Sequence, residues 1–225
     1  MNTKTVNVAS HGTRIPVELF EPAGAANGGA IVVAHGSDGM QEPWAGLIRE
    51  YGAELAAKGF AVLIPDYFAS TGTVPGKGVV AEIAANLGVW QAVVGDTVAH
   101  AARLPGIKPM RMGLLGFSLG GHLAVRLRGV AQAVVEFFAP ELGGVGVVGA
   151  GGAKRVQIHY GTADTVVGIE ESKNIAAQLE REGSAVELFE YDGAGHGFAG
   201  ADPNNATARR SAKGRTVEFF GRVLG

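Results

Sequence analysis

The sequence predicts an α/β fold with a mostly parallel central sheet, an antiparallel hairpin at its N-terminus and helices on both faces. Two segments of alternating polarity come first, and from residue 30 onwards short apolar runs alternate with stretches of helical periodicity. Such alternation of strand and helix is typical of a parallel sheet covered on both faces. The 225 residues suffice for one domain with a large core, so we assign residues 1–225 to a single domain.

The strands fall into two groups. Residues 4–9 and 14–20 alternate between polar and apolar side chains around Gly12, as the two strands of a hairpin do. The later strands are short, mainly apolar runs, which is expected where both faces of a strand are buried. They lie at residues 30–35, 60–65, 112–117, 131–138, 156–160 and 185–191.

Helices are predicted where apolar residues recur at helical spacing. They lie at residues 44–58, 80–104, 119–128, 168–182 and 206–224. Gly59, Pro105 and Gly183 stand where the first, second and fourth of these helices end, as glycine and proline commonly do.

Composition excludes several function classes. The chain has no cysteine, which excludes disulfide frameworks, zinc ribbons and thiol chemistry. A net charge of −2 gives no basic surface for nucleic acid or an anionic membrane. The N-terminus lacks the apolar core of a signal peptide, and no stretch approaches the roughly 20 apolar residues of a membrane span. We expect a soluble, cytoplasmic protein that binds neither nucleic acid nor a membrane.

The glycine-rich segment 142–152 contains a misleading motif. Residues 144–149 spell G-x-G-x-x-G, the fingerprint of dinucleotide binding, which requires a strand before it and a helix that begins at its last glycines. The segment is instead followed closely by the strand at 156–160, which leaves no room for a helix. We therefore interpret 142–152 as a connection and expect no cofactor.

The candidate nucleophile is Ser118. Residues 116–120 read GFSLG, and this G-x-S-x-G motif lies between a predicted strand and a predicted helix, the context of a nucleophile elbow. Gly116 and Gly120 permit the close backbone approach of such a turn, and the amide of Leu119 at the helix N-terminus can stabilise an oxyanion. The alternative is a serine that only caps the helix.

A serine hydroxyl needs a base, and the base needs an orienting carboxylate. His196 lies in a glycine-rich loop after the last strand, where a catalytic base is expected. We expect structural or surface roles for the other histidines: His11, His35, His100, His122 and His159. Asp164 follows the strand at 156–160, and Asp192 is a weaker rival on the same loop as His196. The order Ser118, Asp164, His196 is that of α/β-hydrolases.

A second oxyanion donor is predicted after the strand at 30–35. Residues 35–39 read HGSDG and are similar to the H-G-x-x-G oxyanion loop. The backbone amide of Gly36 or of Ser37 would join that of Leu119. The alternative is an ordinary turn between a strand and a helix.

Taken together, these motifs resemble the dienelactone hydrolase family within the α/β-hydrolase fold, and the resemblance covers nearly the whole chain. Further matching pieces are IPDY at 64–67, GTAD at 161–164, GHGFA at 195–199 and RTVEFF at 215–220. The resemblance implies hydrolysis of an ester or lactone, with neither a metal nor an organic cofactor.

The chain departs from the family pattern at four places. Ser118 stands where the bacterial enzymes have a cysteine, and Gly36 stands where they have a glutamate that controls the thiol. The arginines that bind the substrate carboxylate are absent from residues 68–70 and 198–201. We therefore expect a serine esterase for a small or mid-sized ester or lactone. The alternatives are a dienelactone hydrolase proper, an acyltransferase, or a binding protein without catalysis.

The site is expected to be open. Residues 139–155 are too few for a cap domain between the strands that flank them. The predicted rim, which would bind substrate, consists of Trp44, Tyr67, Phe117 and Phe198. We expect a monomer or a homodimer.

Overall fold

A sheet of eight strands, in the order β1-β2-β4-β3-β5-β6-β7-β8, runs through the molecule. The structure is a computed structural model that describes residues 2–146 and 155–225. The strands are β1 Thr3–Ser10, β2 Thr13–Phe20, β3 Ala30–Ala34, β4 Ala61–Pro65, β5 Met112–Phe117, β6 Ala133–Phe137, β7 Arg155–Gly161 and β8 Ala185–Tyr191. The helices are α1 Trp44–Ala57, α2 Val79–Ala101, α3 Leu119–Arg126, α4 Ile169–Arg181 and α5 Pro203–Leu224.

The pairing of the strands confirms the predicted sheet. Strand β1 pairs antiparallel with β2, and β2 pairs antiparallel with β4. All pairs from β4 through β3, β5, β6 and β7 to β8 are parallel. Because β5 lies between β3 and β6, the loops that follow these three strands meet at one edge of the sheet.

The helices cover both faces, as predicted. Residues of α2, α3 and α4 form one apolar cluster with one face of the sheet, and residues of α1 and α5 form a second cluster with the other face. No helix of the described residues is long and apolar enough to cross a membrane.

Three helix ends differ from the prediction by two residues or more. Helix α2 ends at Ala101 rather than at residue 104. Helix α3 ends at Arg126 rather than at residue 128, and Arg128 begins a short 3-10 turn. The guanidinium of Arg128 is buried there, where it donates hydrogen bonds to backbone carbonyls and pairs with Glu182. Helix α5 begins earlier than predicted, because Asp202 caps it by accepting a hydrogen bond from the amide of Asn204.

The G-x-G-x-x-G motif lies only partly within the described residues. Residues 144–146 have neither helical nor strand structure, and residues 147–149 lie outside the described part of the chain.

Strand β6 carries a buried acid that the sequence did not single out. Glu136 is fully buried, one carboxyl oxygen accepts a hydrogen bond from the amide of Ala139 at 2.9 Å, and the other oxygen has no partner among the described residues. Burial raises the pKa of Glu136 from 4.5 to about 8, against the effect of the Ala139 amide. The carboxyl group is therefore protonated at neutral pH.

This buried acid predicts a pH-dependent stability. Between pH 4.5 and about 8 the folded chain keeps a proton on Glu136 that the unfolded chain has lost, so the free energy of unfolding falls as the pH rises through this window. Glu136→Gln mimics the neutral acid, and we expect it to flatten this dependence by a few kcal/mol between pH 5 and pH 8. Urea unfolding of the wild type and of Glu136→Gln at pH 5 and at pH 8 measures this difference. If the free energy of unfolding changed equally with pH in the two proteins, Glu136 would be ionised in the folded state.

Candidate active site

The turn between β5 and α3 has an unusual backbone. Ser118 has φ 52° and ψ −117°, a backbone conformation that residues other than glycine rarely adopt. Its amide donates to the carbonyl of Phe137 at 2.9 Å, and its carbonyl accepts from the amide of His122 at 3.1 Å. Such strain persists only where the surrounding structure enforces it, and it is common at functional sites.

The two glycines of the motif are required by backbone contacts. A Cβ at Gly116 would lie 2.1 Å from the carbonyl oxygen of Gly120, and a Cβ at Gly120 would lie 2.1 Å from that of Ala34. Neither position can hold a side chain. A serine that merely capped a helix would not need this packing, so the geometry favours the elbow.

His196 is hydrogen-bonded to Asp164. The Nδ1 of His196 lies 2.7 Å from Oδ2 of Asp164, whose Oδ1 accepts from the amides of Val166 and Val167 at 2.8 and 2.9 Å. The Asp164 side chain is 2% exposed. Burial raises its pKa, but the hydrogen bonds from His196 and the two amides outweigh burial and hold the pKa below its ordinary value of 3.8. The carboxylate stays charged and holds the His196 ring through Nδ1.

The rival carboxylate has a different partner. Asp192 accepts a hydrogen bond from the hydroxyl of Thr162 at 3.2 Å, in the turn that follows β7. The geometry therefore favours Asp164 over Asp192 as the group that orients His196.

The loops that carry Asp164 and His196 are bonded to each other. The amide of Ala163 donates to the carbonyl of Ala194 at 3.0 Å, and the amide of Gly193 donates to the hydroxyl of Thr162 at 2.7 Å. A Cβ at Gly161 would lie 2.1 Å from the oxygen of Ala194, so the two segments are in direct backbone contact.

Ser118 and His196 line one cavity of about 470 Å³, a volume typical of small-molecule sites. Of the predicted rim, Trp44, Phe117 and Phe198 line this cavity. Trp44 packs on the backbone beside His196, where a Cβ at Gly197 would lie 2.2 Å from the indole. The exposed side chains of Val80 and Val166, together with Asp38 and Lys77, form the mouth.

The predicted oxyanion loop passes beside the elbow. A Cβ at Gly36 would lie 3.3 Å from the carbonyl oxygen of Phe117 and 3.4 Å from the Cβ of Ser118. Gly36 and Ser37 both line the cavity, and Leu119 is the first residue of α3. Backbone amides from both sides of Ser118 are thus available near the hydroxyl.

Tyr67 does not belong to the site, and its prediction as a substrate-binding residue was wrong. Its ring is fully buried and stacks on His35 at 4.0 Å, and its hydroxyl donates to the carbonyl of His35 at 2.7 Å. It supports the oxyanion loop from below, because its 3-10 turn after β4 points the side chain into the core.

Three other histidines are buried and neutral. Burial lowers the pKa of His35 and His122 to about 4 and that of His159 to about 3. His122 bonds to the carbonyl of Pro140 behind the elbow, as expected of a packing residue. No cluster of metal-ligating side chains is found among residues 2–146 and 155–225.

The structure adds cavity residues that the sequence analysis missed. Lys77 precedes α2 and Arg209 lies on α5, and both line the cavity although they are far from every motif. Leu47, Ile48 and Tyr51 of α1 line it as well. Their spacing with Trp44 is a helical stripe that periodicity could have revealed, whereas nothing in the sequence marks Lys77 or Arg209.

Comparisons with known proteins agree on one family. The sequence pattern of the dienelactone hydrolase family matches residues 15–224. The carboxymethylenebutenolidase of Rhodococcus opacus is 31% identical over 202 residues, which cover 78% of this chain and 75% of that protein.

Solved structures show the same fold. A dienelactone hydrolase-like promiscuous phosphotriesterase from metagenomic libraries superposes with a TM-score of 0.81 at 20% identity, over 100% of this chain and 99% of that one. The dienelactone hydrolase of Anabaena variabilis superposes with a TM-score of 0.74 at 19% identity, again over 100% and 99%.

The pairing of His196 with Asp164 predicts the effect of one substitution. Asp164→Asn is expected to lower kcat for ester hydrolysis by on the order of 10⁴-fold, because the amide no longer holds His196 in the required tautomer. Initial rates on a chromogenic short-chain ester measure it. Asp192→Asn is the matched control and should retain activity. A large loss of kcat in Asp192→Asn together with unchanged kcat in Asp164→Asn would show that Asp192, and not Asp164, orients His196.

Proposed function

The chain belongs to the dienelactone hydrolase family and is a hydrolase acting on ester bonds, and on that premise we propose that it is a serine hydrolase of small or mid-sized carboxylic esters or lactones. The observation that carries the proposal is the hydrogen bond between Asp164 and His196, whose ring lines the same cavity as Ser118. A serine on a strained elbow and an oriented imidazole that line one cavity are the groups that nucleophilic catalysis requires.

The mechanism follows from these positions. The Nε2 of His196 takes the hydroxyl proton as the Oγ of Ser118 attacks the ester carbonyl. Asp164 holds the imidazole and stabilises the imidazolium that forms. The oxyanion accepts hydrogen bonds from the amide of Leu119 and from that of Gly36 or Ser37. His196 then protonates the leaving alcohol, and water hydrolyses the acyl-enzyme with His196 as base.

Serine is consistent with the other departures from the family pattern. A serine has no thiolate that must be held in check, so the glutamate that accompanies the family's cysteine has no task here. Gly36 stands at the matching position, close to the elbow. The charged Asp164 and the His196 ring that it orients supply the activation that a hydroxyl requires.

A second candidate is hydrolysis of a lactone that carries a carboxylate. Lys77 and Arg209 line the cavity, and they supply positive charge from segments other than those where the family has its arginines. The relative in Rhodococcus opacus is a carboxymethylenebutenolidase. These two observations favour an anionic substrate, whereas the aromatic wall of the cavity favours a neutral one.

Reaction with a fluorophosphonate probe tests the nucleophile. Intact-protein mass spectrometry is expected to show one adduct, mapped to Ser118 and lost in His196→Ala. Ser118→Ala and His196→Ala should each lower kcat by at least about 10³-fold. A folded protein without an adduct, or either variant with nearly the activity of the wild type, would contradict the triad.

Substrate charge separates the two candidates. A lactone that carries a carboxylate and its methyl ester differ only in that charge. If the substrate is anionic, Lys77→Met is expected to raise KM for the carboxylate about tenfold and to leave the methyl ester unaffected, because one charge-assisted contact is lost. Equal KM values for both compounds in both proteins would exclude the second candidate. Lys173→Met, on the exposed face of α4, is the control.

A further inference from the structure

We propose that the hydroxyl of Tyr51 recognises a neutral oxygen on the substrate, so that the cavity takes an ester or lactone with an apolar, aromatic-sized body that carries a carbonyl, ether or hydroxyl oxygen away from the scissile bond. The inference rests on the proposed function and deepens it, because it names the kind of substrate that the cavity discriminates.

One wall of the cavity is a face of α1. Trp44, Leu47, Ile48 and Tyr51 recur at the spacing of one helical face, and all four line the cavity. Aromatic rings at the ends of β5 and β6 adjoin this wall and extend it. A substrate in contact with Ser118 therefore meets a largely apolar surface, and its body must be apolar as well.

Tyr51 is the polar exception on this face. Its ring packs edge-on against Phe117 at 5.2 Å and against Phe137 at 5.5 Å, and only 4% of the residue is exposed. These contacts hold the ring in one position. The hydroxyl is consequently preorganised, and little side-chain entropy would be lost when a ligand binds to it.

The hydroxyl of Tyr51 lacks a partner. The other three tyrosines, Tyr67, Tyr160 and Tyr191, each have a hydrogen-bonded hydroxyl. Tyr51 forms no hydrogen bond to any residue within 2–146 and 155–225. Buried tyrosine hydroxyls normally find a partner, so an unpaired one on a cavity wall indicates a group that a ligand completes.

The hydroxyl is a donor at every physiological pH. Burial raises the pKa of Tyr51 well above its usual value, nearby Tyr191 and Glu50 raise it further, and the positive charge of Arg209 only partly offsets these effects. The guanidinium of Arg209 donates to the carbonyl of Phe198 at 2.7 Å, so it is fixed at the same cavity. An oxygen acceptor placed at Tyr51 would therefore meet a hydrogen-bond donor.

The experiment compares two esters of the same shape. One carries an acetyl group on a phenyl ring and the other an isopropyl group, which keeps the shape but removes the acceptor. The esters tested carry the acetyl or the isopropyl group at the ortho, meta or para position of the phenyl ring. The ring belongs to the acyl half of the ester in one series and to the alcohol half in the other. The wild type is expected to prefer the acetyl compound by about fivefold in kcat/KM at one position at least, the value of one neutral hydrogen bond.

Tyr51→Phe is expected to bring this ratio of kcat/KM close to one. The melting temperature should not fall, because the lost hydroxyl has no protein partner. Tyr67→Phe is the matched control: it breaks the buried bond to His35, so it should lower the melting temperature and change the rates of both esters alike. The same ratio in the wild type and in Tyr51→Phe at every ring position would overturn the proposal.

Binding without turnover separates this inference from the proposed function. Calorimetry with both esters is done on Ser118→Ala and on Ser118→Ala/Tyr51→Phe. A preference for the acetyl compound that requires Tyr51 supports the recognition site even if the wild type hydrolyses neither ester, in which case only the proposed function fails. An equal preference in both variants overturns the recognition site.

Discussion

The close approach of the elbow to the end of β3 is the constraint on which the site depends. Gly120 lies so near the carbonyl of Ala34 that no side chain fits between them, and Gly116 is equally close to Gly120. This contact brings the loop after β3, with Gly36 and Ser37, next to the serine. It also forces Ser118 into its strained backbone, because the chain must reverse within one residue. Ser118 and the amides proposed as oxyanion donors are thus placed by one backbone contact.

The charge states of the buried groups near the elbow also suit the proposed reaction. The core histidines nearest the elbow are neutral through burial, and Glu136 is neutral for the same reason. The carboxylate of Asp164 stays charged because three hydrogen bonds compensate for its burial. A single fixed negative charge behind His196 is what an imidazolium intermediate needs, and further charges behind the elbow would compete with the oxyanion.

The sequence predicted the fold well because the signals were local. Apolar runs and helical periodicity predicted every strand and helix, and errors arose at their ends. Some of these ends depend on a local cap, such as Asp202, and others on a tertiary partner, such as the Glu182 that pairs with buried Arg128. The motifs that contain Ser118, Asp164 and His196 each follow a predicted strand. Because the carboxyl ends of parallel strands meet at one edge of the sheet, the sequence predicted that these three residues lie close together. The residues that line the cavity were harder to predict from the sequence. Tyr67 follows the end of a strand, but its side chain turns into the core. Lys77 and Arg209 reach the cavity from segments that contain no motif, so only the three-dimensional path of the chain reveals that they line it.

The backbone bonds between the turn after β7 and the loop after β8 have a mechanical consequence. Asp164 and His196 are carried by segments joined by hydrogen bonds and by the contact of Gly161 with Ala194, so they form one rigid unit. Ser118 belongs to another unit, built from β3, β5 and α3. Thermal fluctuation would therefore change the distance between His196 and Ser118 more readily than that between Asp164 and His196. Heat inactivation would begin as a loss of alignment between His196 and Ser118, with the hydrogen bond to Asp164 still intact and the sheet still folded.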